Sequence, residues 1–205
     1  PYTKATTMNS GWLWEIDHSN RTGFGYVYSS KYTTDDNALE DVQKHLGIVI
    51  PKHRVIKFKT GRLERHWVGN VITLGNTDGF VEPLEATSLM VIGHLSIYIA
   101  DIIRYGNHMG DLPEQYNDFV NTYYDNIHDF IFAHFIYNKK LDTQYWKDYR
   151  KREKLFTKDR VGNTILQHYL KNGVHLKFIS HAYNETNPFG LEGWFAIFRG
   201  LDVNV

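Results

Sequence analysis

The 205-residue sequence contains no cysteine. That single absence removes disulfides, thiolate catalysis and cysteine-ligated zinc together, and no other metal-ligand pattern is read from the chain. A surplus of one charge is also missing, because 23 Lys and Arg balance 23 Asp and Glu. Net charge therefore argues neither for nucleic acid nor for an anionic membrane. No apolar run approaches the length of a bilayer span, and residues 1–20 lack the basic-then-apolar pattern of a signal peptide. The expectation is a soluble, cytoplasmic protein with no membrane partner. There is no internal repeat and no low-complexity segment. A complete GxGxxG dinucleotide fingerprint is absent as well: Gly23-Phe24-Gly25 supplies a GxG, but the third glycine is missing, and the pair reads as a turn.

What is plentiful is aromatic. With 42% hydrophobic residues the chain can bury one sizeable core. Its 14 Tyr, 12 Phe and 5 Trp either fill that core or line a site for a planar ligand. Trp12, Trp14 and Ile16 alternate with Leu13 and Glu15, which is strand periodicity, and residues 25–29 form a second β-prone run. Together they predict a hairpin with a long connection, Trp12 and Trp14 packing on opposite faces of the sheet. Leu39, Val42 and Leu46 predict an amphipathic helix over 35–46, ended by Gly47. Residues 54–59, 63–67 and 71–74 predict a β-meander. The basic residues crowding it, Lys52, His53, Arg54, Lys57, Lys59, Arg62, Arg65 and His66, are expected on a wet sheet face.

From Thr87 the pattern turns helical. Leu89, Ile92, Leu95, Ile99 and Ile102 make an apolar stripe to about residue 104, and residues 106–113 break it. A longer helix is predicted from Tyr116 to about Lys139, and a short one, capped by Asp142, carries Tyr145, Trp146 and Tyr149. Further helices are expected over 157–171 and 189–198. Strands first and helices after argue α+β: an antiparallel hairpin and meander in the N-terminal third, then a mostly helical subdomain. The expected boundary lies between residues 86 and 87.

The segment 75–90, GNTDGFVEPLEATSLM, joins the last strand to the first long helix. Amides at a helix start lack intrahelical acceptors and the dipole there favours negative charge, so this is a place for an anionic ligand. Glu82 and Glu85 flank Pro83, and Thr87 and Ser88 are suited to capping the helix. An ordinary capped turn would have the same composition.

This loop, preceded by GRLERHWVGNVITL, resembles the GFxEPLExT signature of the flavin-dependent (tryptophan) halogenase family. GWLWEI and RTGFGYVYSS are similar to the family's WxWxIP and GxGYVYSS segments, with Asp17 in place of the proline. YNDFVNTYYDNIHDFIFAHFIYNKKLDTQYW resembles its long helix and D-[ST]-x-[FY]-W ending. These stretches follow the family's order over most of residues 1–198.

The resemblance implies a part of a larger FAD-dependent monooxygenase-like fold. Its N-terminal dinucleotide-binding half and the family's catalytic lysine would lie outside these residues, leaving the 205 residues inactive alone. It further implies that a flavin hydroperoxide oxidises chloride or bromide and that an electron-rich aromatic ring is then halogenated, a separate flavin reductase supplying the reduced FAD. Glu85 corresponds to the catalytic carboxylate facing the substrate. The amides of Thr87 and Ser88 fall at the halide site, and Gly75, Asn76 and Pro83 lie along the flavin. Trp146 corresponds to the tryptophan that stacks on the substrate. The residues that hold the amino-acid group of free tryptophan fall on His134, Phe135 and Leu141, which cannot do so. An indole, phenol, pyrrole or carrier-bound aromatic is therefore expected in place of free tryptophan. On an apolar helical face, His134 reads as a satisfied core histidine, and Lys139 and Lys140 belong to solvent. Two alternatives stay open: a flavin monooxygenase-like hydroxylase, favoured by Asp17, and a non-catalytic module that binds aromatic ligands. An apolar sheet face left for the absent half could also support a homodimer.

Overall fold

The computed structural model describes residues 2–106, 111–152, 160–173 and 186–203. Contacts divide it into two compact units, Pro1–Lys57 with Phe135–Leu155, and Phe58–His134 with Phe156–Val205. The division does not fall at residue 86, because residues 135–152 return to the N-terminal sheet. Three hydrogen bonds made there have no local sequence signal: Trp146 Nε1 donates to the Met8 carbonyl at 2.8 Å, Thr143 to Asn9 at 2.6 Å, and Asn138 to Thr7 at 2.9 Å.

The first unit is built on an antiparallel sheet in the order β1 (Thr3–Met8), β2 (Gly11–Asp17), β3 (Thr22–Tyr28). The β2–β3 hairpin is present, but β3 starts at Thr22, three residues before the predicted run, and the connection is residues 18–21. The strand β1, rich in threonine and without apolar alternation, is recognisable only through its pairing from Thr3↔Ile16 to Met8↔Gly11. Gly23 to Gly25 lie within β3 and not in a turn, and a Cβ at Gly25 would sit 2.1 Å from the Trp14 ring. Trp12 and Trp14, two residues apart on one strand, share a face, since side chains alternate with a period of two. Leu13 meets Met8 and Val42 in a core completed by Tyr26, Leu46 and Ile50. Val42 comes from helix α1 (Asp35–Leu46), whose Thr34 cap accepts from Asn37 N and whose Gly47 closes it in the left-handed conformation.

In the second unit the expected meander is reduced to two-residue ladders: β4 (Gly61–Arg62) with β7 (Gly79–Phe80), and β5 (Trp67–Val68) with β6 (Val71–Ile72). Part of the backbone here is held by side chains of a helix. Helix α2 (Thr87–Tyr105) follows the loop, and α3 (Leu112–Ile136) begins with Pro113 in its first turn, where a missing N–H costs nothing. Asn117 of α3 accepts from the amides of His66 (2.6 Å) and Trp67 (2.8 Å) and donates back to the Trp67 carbonyl. One turn on, Asn121 donates to the Glu64 carbonyl at 3.2 Å and accepts from His66 Nε2 at 3.1 Å. A further turn on, Asp125 pairs with Arg62 at 3.0 Å.

Helices α4 (Gln144–Arg150), α5 (Val161–Asn172) and α6 (Gly190–Gly200) complete the described elements. Thr143, not Asp142, precedes α4; Asp142 instead pairs with Lys147 and Arg150. Residues 157–159 of the predicted fifth helix lie outside the described residues. Most of the predicted α2 stripe faces inward: Leu95 and Ile102 are buried, with Val91, and Ile92 and Ile99 are half-buried, while of the predicted residues Leu89 is exposed; Ile97, Ile103 and Tyr105 are exposed as well. The stretch Leu84–Tyr105 is also long and apolar enough to cross a membrane by length and composition. This corrects the expectation that no such run exists, which considered only uninterrupted apolar residues. A single helix of this kind is weak support for a span, because the core helix of a soluble fold passes the same test.

Replacing Asn117 by leucine leaves two amide N–H groups without an acceptor. We expect a loss of about 2–6 kcal/mol in urea unfolding, from about 1–3 kcal/mol for each unsatisfied group.

Candidate active site

The site is assembled where residues 73–88 cross the face of α3. At its base, buried His66 sets Nδ1 2.5 Å from Asp78 Oδ1 and Nε2 3.1 Å from Asn121, while Thr73 Oγ1 donates to the same Asp78 oxygen at 2.6 Å. His66, expected on a wet sheet face, is only 1% exposed. These three bonds engage Asp78 Oδ1 and both ring nitrogens, while Asp78 Oδ2 is buried without a hydrogen-bond partner. Tyr124 stacks on the imidazole with ring centres 5.9 Å apart and carries the constraint outward, since its hydroxyl donates to Gly79 O at 3.3 Å. A Cβ at Gly79 would meet the Tyr124 ring at 2.8 Å, which explains a glycine there.

Above this base lies a pocket with about 220 Å³ of empty space, part of it open to solvent. Its lining includes Gly75, Gly79, Thr87, Ser88 and Tyr124. Three of the expected ligand-contacting residues, Gly75, Thr87 and Ser88, thus meet in one place. Asn76 is exposed and Pro83 half-buried, and neither lines it. Thr87 and Ser88 do not cap α2 as predicted. The N-cap is Ala86, and no side chain accepts from the first amides. Those amides therefore remain available to an anion.

The turn before α2 is strained. Leu84 N donates to Glu82 Oε1 at 2.9 Å and Ala86 N to Pro83 O at 3.0 Å, and between these bonds the chain passes through left-handed conformations at Glu85 (φ 64°) and Ala86 (φ 51°). Each costs a non-glycine residue about 1–2 kcal/mol. Such strain persists only where surrounding contacts hold it, and it concentrates at functional sites. Buried Leu84 and Thr87 clamp the turn on both sides. The Glu85 side chain points to His134, whose Nε2 lies 3.3 Å from Oε1 at ion-pair distance but without the alignment of a hydrogen bond. Beside this imidazole the Glu85 carboxyl is held below its ordinary range, against the opposing effect of partial burial. His134 is therefore more than a core histidine; its partner comes from a loop 49 positions away in sequence, and no local pattern announces it.

Trp146, expected to stack on a substrate, is 2% exposed. Phe135 stacks on it at 5.8 Å, Tyr145 meets it edge-on, and its N–H is bound to Met8, so it serves as a core side chain. Asp17 ends β2 and accepts from Thr22 Oγ1 at 2.8 Å, closing the hairpin. Hairpin closure accounts for the residue that had favoured a hydroxylase.

Among solved structures, the chain with this fold and loop is similar to flavin-dependent halogenases. MibH, described as a lathipeptide tryptophan 5-halogenase, superposes with a TM-score of 0.83 at 28% identity over 100% of this chain and 40% of its own. BrvH, a flavin-dependent halogenase from Brevundimonas sp. BAL3, gives 0.78 at 26% identity, again over 100% and 40%. Residues 1–203 match the family described as tryptophan halogenase, and to this flavin-dependent halogenase family the chain belongs. RebH of Lentzea aerocolonigenes, a tryptophan 7-halogenase, is 36% identical over 155 residues, 72% of this chain and 28% of RebH. The chain thus spans less than a third of that curated relative.

Two stability tests follow. Ala86→Gly removes a left-handed side chain and should raise the unfolding free energy by up to about 1 kcal/mol in urea titration. Glu85 is depressed from 4.5, so its stabilising effect is present above the unfolded value and is lost as pH falls through the folded one. The stabilities of wild type and Glu85→Gln should differ near neutrality and converge in acid.

Proposed function

We propose that the protein containing this chain halogenates an electron-rich aromatic compound, with Glu85 as the carboxylate at the reacting ring. The observation that carries this is the strained Glu85–Ala86 turn beside free α2 amides, in a chain of this family. When bound, FAD supplies the oxygen activation that converts chloride or bromide into an electrophilic halogen.

The pocket tests how much of that group these residues could hold. Its empty space is open in part to solvent, and the enclosed part is far smaller than the sites that enclose drug-sized ligands. It suits a species of about the size of a water or a halide, and the dinucleotide is then held largely by polypeptide outside these residues. We assign the halide to the Thr87 and Ser88 amides, and the adjoining edge of the flavin to Gly75, with Asn76 and Pro83 flanking it on the same loop. The 205 residues alone are expected to be inactive, with a separate reductase providing reduced flavin and the exposed α2 face covered by the remaining polypeptide. A cytoplasmic location accords with this chemistry.

At the ring, substitution passes through a cation that must lose a proton. Glu85 can stabilise the cation and accept that proton, being ionised and partly exposed. Free tryptophan is disfavoured as substrate, because His134 is engaged with Glu85, Phe135 is buried against Trp146, and Leu141 offers no charge to an ammonium group. Indoles, phenols, pyrroles or carrier-bound aromatics remain.

The test is product analysis by mass spectrometry with reductase, FAD, oxygen and either halide, across free tryptophan and such aromatics. Halide-dependent product is expected, with Glu85→Gln slower by about 10²–10⁴-fold. A hydroxylated product formed equally without halide would overturn this assignment in favour of a hydroxylase.

A further inference from the structure

We propose that His134 is a positioning residue that shares one proton with Glu85, so that the pair acts as the unit that readies the carboxylate for the substrate ring. This rests on the proposed role of Glu85.

Hydrogen-bond chemistry carries the inference. His134 Nδ1 lies 2.9 Å from the Phe130 carbonyl oxygen. A carbonyl only accepts, so Nδ1 carries a hydrogen. If the ring were neutral, the Nε2 lone pair would lie beside the Glu85 carboxylate, 3.3 Å from Oε1 and buried without another hydrogen-bond partner. Two acceptors facing each other repel. A proton therefore belongs in this contact, on the imidazole or on the carboxyl. The ring cannot readily turn away, because Phe130 meets it edge-on with centres 5.1 Å apart. Exposure ranks the two groups: the His134 side chain is 15% accessible and that of Glu85 42%, so the glutamate faces a ligand with the histidine behind it.

Neighbouring charges are committed elsewhere. Glu82, on the same loop, accepts from Leu84 N. Asp129, on the same helix, pairs with His128 and Arg160. Helix α6 packs Trp194 on Phe130 and carries Glu192 and Arg199. Among the described residues, none of these forms an ion pair with His134 or Glu85.

In the resting pair the proton sits on the imidazole and Glu85 is a carboxylate. When the ring cation loses its proton to Glu85, the C–H bonding electrons return to the ring. Glu85 becomes neutral beside an imidazolium, and the pair resets by releasing one proton to solvent through the exposed carboxyl.

The experiment is a pH titration of the full chain, expressed from its natural gene and labelled with 13C-glutamate, read by NMR in wild type and His134→Phe. In wild type the Glu85 carboxyl should titrate below the exposed glutamates, and His134→Phe should raise it toward them. His134→Phe keeps the ring volume, and its pH–rate profile should show the acid limb displaced to higher pH, with kcat reduced and KM little changed. A Glu85 midpoint indifferent to His134→Phe overturns the proposal even in an active halogenase. Coupled titration in a protein that does not halogenate would uphold the shared proton and overturn the functional assignment instead.

Discussion

Everything at the site depends on one polar row. Asn117, Asn121 and Asp125 recur every four residues along α3, and they bind the chain at Arg62, Glu64, His66 and Trp67 where a sheet would ordinarily do so. With ladders only two residues long, the backbone of 61–80 has little other regular pairing. Buried amides must find acceptors, and the asparagines are placed to provide them. The His66–Asp78 pair extends the row to the start of the loop, and Tyr124 relays it to Gly79 and the pocket.

That rigid base makes the strained turn possible. Two successive left-handed residues would relax in a mobile loop, and here they are held between the Glu82 and Pro83 hydrogen bonds and the buried Leu84 and Thr87. The geometry has two effects: it aims Glu85 at His134, and it begins α2 without a side-chain cap. A carboxylate and a group of free amides thus lie within a few residues of each other. In the function we propose, the anion lies at these amides and Glu85, two residues before Thr87, accepts the proton.

The aromatic content turned out to be mostly structural. Trp146, Tyr145 and Phe135 pack together in the first unit, and Trp194, Phe130 and Phe189 in the second, where Phe130 and Phe189 stack at 3.7 Å. Composition alone does not separate a stacking platform from a core, because both uses bury the same rings.

The sequence by itself determined what is local. Helix α1, with Thr34 before it and Gly47 after it, matched its predicted span, as did the start of α2 at Thr87; the β2–β3 hairpin was predicted too, although β3 starts three residues before the predicted run. Periodicity and capping act over a few residues and are written in neighbours. The family too was legible, since its loop motif is contiguous. Only the tertiary structure decided that His66 is buried, that Trp146 is a core residue, that β1 exists, and that His134 faces Glu85. Each of these depends on a partner far along the chain: Asp78 with Asn121, Met8, the strand β2, and the loop before α2. A residue's type specifies the interactions it can make, but the partner that satisfies them is chosen by how the whole chain packs.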